Sequence, residues 1–146
     1  MRISIGSDHA GFLLKNQITQ HLKELGHDVQ DFGTYTSESC DYPDYAYAAA
    51  KAVVDGETER AIVICYTGIG VSIVANKVKG IRCSLVGSVE DAILTREHND
   101  SNCLALSAKN TPVLLAKEII DAWLITEFTG GRHLNRINKI KVIEEK

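Results

Sequence analysis

A chain of 146 residues, 45% of them hydrophobic, suffices for one compact domain around a single core and leaves no room for a second. The formal net charge of −3 excludes a general nucleic-acid or anionic-membrane binder, so any anion has to be held by a few locally placed basic residues. No stretch is long and apolar enough to span a bilayer, and the start shows no basic segment, signal-peptide core or cleavage site, so a cytoplasmic location is expected.

Short apolar runs alternate with longer amphipathic stretches, the pattern of a parallel sheet covered by helices. In chain order, a strand at 3–6 leads to a helix at 12–25, whose Leu13, Leu14, Ile18, Leu22 and Leu25 fall on one face and which Gly26 stops. A strand at 29–32 precedes a helix at 45–54, and a strand at 61–65 precedes a helix at 71–77. Next come a strand at 82–86, a helix at 89–97 and a strand at 103–106. A helix at 112–128 opens on Pro112, and a last helix runs from about Arg132 to the C-terminus. The fold class is therefore α/β, one domain over residues 1–146 with a five-stranded parallel sheet. Its ligand is expected beyond the carboxyl ends of the strands, where loops lead into helices.

Cys40, Cys65, Cys83 and Cys103 form neither a CxxC pair nor a zinc-ligand rhythm. Three of them read as small apolar filler on or beside strands. At the end of the first strand, Asp8 and His9 bring an acid and an imidazole to the expected ligand edge; the alternative is Asp8 as a helix cap and His9 as a surface residue. Gly11 is followed by Phe12 and Leu13, so this is no Walker loop. After Cys65, the turn Tyr66-Thr67-Gly68-Ile69-Gly70 can gather backbone N–H groups around an oxyanion. A helix N-terminus beyond that turn favours thiolate over thiol. A phosphatase loop would need an arginine at Val71, a dinucleotide fingerprint a glycine at Ile73 and a receiver domain an aspartate at Cys65, so all three readings fail.

Later in the chain, His98 and Asn99 lie in the polar cluster 96–102, which reads either as proton-transfer machinery or as a solvated helix end. Gly130 and Gly131 precede Arg132 and Arg136, and arginines four apart share a helix face. They read as a phosphate clamp or an exposed basic helix, and the paired glycines suggest close approach to something.

Together these segments resemble the ribose-5-phosphate isomerase B family, whose relatives include galactose-6-phosphate isomerase subunits. The resemblance rests on SDHAG at 7–11, DYP at 41–43, CxTGIG at 65–70, NK at 76–77, GIR at 80–82, REHND at 96–100 and GGRHxxR at 130–136. It implies a three-layer α/β/α Rossmann-like sandwich, and a homodimer or homotetramer with active sites at the subunit interface. It further implies a cofactor-free, metal-free aldose–ketose isomerase of pentose phosphate metabolism. Cys65 corresponds to the base that moves a proton between C1 and C2, and His98 to the residue that opens the furanose ring. Asp8, His9, Tyr42 and the turn from Cys65 through Tyr66, Thr67, Gly68, Ile69 and Gly70 correspond to the sugar pocket. Asn99 matches a further ligand contact, and Arg132 and Arg136 match phosphate-binding arginines. Two positions depart from the pattern: Tyr66 stands where glycine is usual, and Lys109 where many members have a phosphate-contacting arginine. The expected substrate is ribose 5-phosphate, with a hexose 6-phosphate such as allose or galactose 6-phosphate, or a non-catalytic sugar-phosphate sensor, as alternatives.

Overall fold

The computed structural model describes residues 1–146. The elements alternate as β1 (Arg2–Ser7), α1 (Phe12–Glu24), β2 (Asp28–Asp31), α2 (Tyr42–Val54), β3 (Arg60–Cys65), α3 (Ile69–Ala75), β4 (Cys83–Leu85), α4 (Val89–Asn99), β5 (Cys103–Ser107), α5 (Val113–Ile125) and α6 (Arg132–Glu144). All five strands are parallel in the order β2-β1-β3-β5-β4. The chain steps outward from β1 to β2 and then returns to β3 on the other side of β1. The order thus reverses between β1 and β3, whose carboxyl ends are Ser7 and Cys65.

Strand side chains alternate between two unequal faces. Ile3, Ile5, Ile62, Ile64, Leu104 and Leu106 point to the face covered by α1, α4 and α5, where Leu14, Ile18, Leu22, Ala92, Ile119, Ile120 and Trp123 complete the larger core. Ala61, Val63, Cys65, Cys103 and Ala105 point to the other, where small residues meet Ala46, Ala49 and Ala50 of α2 and Val71 and Ala75 of α3. Helix α6 is not bound to the sheet: only its Ile137 is buried, and the helix packs on α4.

The structure revises several expected boundaries. On α1, Leu13 and Leu25 are exposed, whereas Lys15 is wholly buried with Leu14, Ile18 and Leu22. Leu13 lies a hundred degrees around the helix from Leu14, and Leu25 lies beyond its last turn. Lys15 is tolerated inside because its Nζ sits 2.5 Å from Asp31 Oδ2 and 5.6 Å from the rings of Phe12 and Tyr35. Helix α2 begins three residues early, at Tyr42, because Pro43 suits a first turn. Helix α3 is shifted toward its N-terminus: Gly68 caps it, and Asn76 ends it by donating to the carbonyls of Ser72 and Cys83. Helix α5 stops at Ile125 because Arg60 donates to the carbonyls of Trp123 and Leu124, and Arg96 to that of Thr126.

Candidate active site

At the carboxyl edge, Asp8, Tyr42, Cys65, Tyr66, Thr67, Ile69, Gly70 and Ile73 line a cavity of about 420 Å³. Cys65 is the last residue of β3 and is 5% exposed, and its Sγ accepts the Gly68 N–H at 3.2 Å. Gly68 makes this contact from a left-handed φ of +76°. A Cβ there would stand 2.5 Å from Leu85 Cδ1 and 2.9 Å from the Leu106 carbonyl, so the turn requires glycine for space as well as conformation. The Thr67 hydroxyl oxygen accepts the Ile69 N–H at 3.2 Å. The next two amides, of Gly70 and Val71, have no acceptor within the chain and remain free donors in the first turn of α3. The Tyr42 ring lies directly over Gly70, where a Cβ would come within 2.7 Å of it.

Asp8 is 7% exposed and accepts the Gly11 N–H through Oδ1 at 3.1 Å, leaving Oδ2 without a partner in the chain. Asp8 therefore closes the turn leading into α1 and is not the cap expected of it: Gly11 holds the cap position, without a side-chain hydrogen bond. His9 Nδ1 accepts the Cys40 N–H at 3.2 Å; a backbone amide can only donate, so the neutral ring carries its proton on Nε2. Cys40 accordingly sits in a loop against an imidazole, not on a strand. Lys109, two residues beyond β5, holds its Nζ 5.7 Å from the centroid of the Tyr66 ring.

The remaining expected residues lie elsewhere. Helix α4 runs antiparallel to the strands and ends at Asn99, beside the start of β5, and Arg82, the residue before β4, donates to the Asn99 carbonyl. His98, Asn99, Arg132 and Arg136 therefore gather at the amino edge of the sheet. Strands of five and six residues separate that edge from Cys65 by roughly 15–20 Å. Within one chain the thiol and the guanidinium pair do not converge. The rule that ligands bind beyond strand carboxyl ends locates the first group and misses the second.

The amino-edge group is itself ordered. Asp100, in a left-handed conformation at the end of α4, takes Arg96 at 2.8 Å and Arg82 at 3.4 Å. Thr129 donates its N–H and its hydroxyl to the Glu97 carbonyl, fixing the approach to α6 against α4. His98 then stacks on His133, a residue not singled out from the sequence although it stands inside the GGRHxxR segment. Desolvation in the stack, followed by His98, Arg132 and Arg136, holds the His133 imidazole below its ordinary range. Gly130 and Gly131 have positive φ and open space around them, so they serve the turn into α6, and nothing in the chain approaches them closely. Asn99 lines a second cavity of about 450 Å³ with Asn76, Arg82, Ile140 and Ile143. No three His, Cys, Asp or Glu side chains come together closely enough to hold a metal ion, and no helix is long and apolar enough to cross a membrane.

A family model described as Ribose/Galactose Isomerase matches residues 3–140. The chain is 47% identical to ribose-5-phosphate isomerase B of Escherichia coli, over 99% of this chain and 97% of the relative. Its fold matches that of Clostridium thermocellum ribose-5-phosphate isomerase B with a TM-score of 0.98 and 51% identity, covering 99% of this chain and 98% of the other. It also matches the crystal structure of ribose-5-phosphate isomerase B from Mycoplasma genitalium with bound ribulose-5-phosphate, with a TM-score of 0.94 and 41% identity over 99% and 97% of the two chains.

Proposed function

The chain belongs to the ribose/galactose isomerase family, and from that premise we propose that it interconverts ribose 5-phosphate and ribulose 5-phosphate. The observation that carries the proposal is the Cys65 turn: a thiol on a cavity floor, already accepting one amide, beside the Thr67 hydroxyl and two free amides.

In this reading His98 assists opening of the furanose ring. The Cys65 thiolate removes the C2 proton of the aldose; the C–H pair forms the C1–C2 double bond and the carbonyl pair moves onto O1. The Gly70 and Val71 amides and Thr67 hold the enediolate oxygens, the site's preorganised donors taking the place of solvent. The thiol returns its proton to C1 and the O2 proton passes to O1, leaving a ketone at C2. Arg132 and Arg136 hold the phosphate by charge-assisted hydrogen bonds. His9 donates from Nε2 and Asp8 accepts at Oδ2, a complementary pair for sugar hydroxyls.

Because the two groups of residues lie at opposite edges of one sheet, a working site takes its thiol from one copy and its imidazole and arginines from another. The apolar residues of α6 support such an assembly: Leu134, Ile140, Val142 and Ile143 are all more than 40% exposed. A homodimer is the smallest closed arrangement that completes the site, and a homotetramer would repeat it. The enzyme works in the reducing cytoplasm, where Cys65 stays a free thiol.

The test is isomerisation of ribose 5-phosphate with a chelator present, in the wild type and Cys65→Ala. The wild type should be active and should exchange solvent deuterium into C1 or C2, while Cys65→Ala should bind substrate without turnover. An active Cys65→Ala enzyme would remove the thiol from the mechanism.

A further inference from the structure

The cavity lining includes one side chain that the proposed mechanism leaves unused, Tyr66, and a second, Lys109, stands over its ring. Tyr66 is the first residue beyond β3, next to Cys65, and its side chain is 56% exposed on the cavity wall. Its backbone is pinned, because the Tyr66 carbonyl accepts both the Ser107 hydroxyl and the Lys109 N–H at 2.9 Å. Lys109 then returns over the ring, Nζ to centroid 5.7 Å, and makes no ion pair with any carboxylate. A cation over a ring face restrains the ring as well as the ammonium. Lys109 thus braces the Tyr66 ring, which shares the cavity lining with Tyr42 of α2 and Ile69 and Ile73 of α3.

We propose that Tyr66 and Lys109 together set the length of sugar phosphate the site accepts, favouring a five-carbon over a six-carbon chain. The inference rests on the isomerase reading above. The reacting end of the substrate must meet Cys65, whose position the Gly68 amide fixes. With that end anchored at Cys65 and the phosphate held by Arg132 and Arg136, an added carbon has to bulge sideways against the cavity lining, of which Tyr66 is part. Tyr66 is the steric element and Lys109 a positioning residue acting through it. Removing the ring therefore widens the cavity lining available to the bulging carbon without altering Cys65, Thr67 or the free amides.

The experiment compares kcat/KM for ribose 5-phosphate and allose 6-phosphate in the wild type, Tyr66→Gly, Tyr66→Phe, Lys109→Met and Lys109→Arg. The pentose-to-hexose ratio should fall about tenfold or more in Tyr66→Gly, the scale on which a pocket discriminates one extra carbon. It should fall less, in the same direction, in Lys109→Met. Tyr66→Phe keeps the ring and Lys109→Arg keeps a cation over it, so both should hold the ratio within about threefold of the wild type. Melting temperatures are read in parallel, and Tyr66→Ala replaces Tyr66→Gly should the latter not fold. A folded ring-deleted variant whose ratio stays within about threefold of the wild type overturns the proposal, since a merely structural tyrosine would change both substrates alike. A wild type inactive on both sugars would instead overturn the isomerase reading, and this inference with it.

Discussion

His98 lies flat against His133, ring centroids 4.4 Å apart and planes 14° from parallel, at the edge of the sheet opposite the one that ends in Cys65. Desolvation in this stack disfavours a proton on His133, and His98, Arg132 and Arg136 beside it add to that effect. The folded chain therefore protonates His133 at lower pH than the unfolded chain does. By linkage, stability is fully present above the unfolded imidazole value of about 6.5 and is lost as pH falls through the folded one. Thermal melts between pH 7.5 and 5 should show that decline, and His133→Gln should flatten it. An unchanged slope in the variant would remove His133 as its source.

The separation of the two residue groups makes a sharper prediction about assembly. Cys65→Ala and His98→Gln should each be inactive alone. Mixed by unfolding and refolding together, they should recover about a quarter of wild-type activity, since half the dimers pair unlike chains and one of two sites in each is intact. Failure to recover activity from mixed dimers verified by mass would place thiol and imidazole in the same chain's site.

Gly68→Ala should damage fold and chemistry together. The left-handed conformation alone costs about 1 to 2 kcal/mol for a residue with a Cβ, before the approach to the Leu106 backbone is counted. The melting temperature should fall by several degrees, and the amide that reaches Cys65 Sγ should shift, lowering kcat. Native-like stability in this variant would show that the turn tolerates a side chain.

Ser101→Ala tests the core away from the site. The Trp123 Nε1–H donates to Ser101 Oγ at 2.9 Å, with both residues wholly buried. Deleting the acceptor leaves a buried indole N–H unsatisfied, at a cost of about 1 to 3 kcal/mol. Urea denaturation should report that loss, with the fold itself retained.

The order and kind of every element were legible in the letters, because hydrophobic period is a local property and glycine or proline marks most ends. The boundaries that moved did so for non-local reasons. Arg60 and Arg96 stop α5 from distant strand and helix positions, and Asn76 ends α3 while holding the start of β4. A lysine is ordinarily solvent-facing, and the placement of Asp31 and two aromatic rings is what accommodates Lys15 inside.

By itself the sequence determined the chemical inventory: a thiol in a glycine-bearing turn, an acid and imidazole after the first strand, and an arginine pair after paired glycines. Those are short-range facts, carried by neighbours within a few residues. Tertiary structure alone decided that β5 inserts between β3 and β4, that Lys109 reaches Tyr66, and that the thiol and the arginines face opposite edges of the sheet. Strand order and helix direction are set by burial summed over contacts far apart in the chain, and no local spacing encodes which edge a side chain will reach.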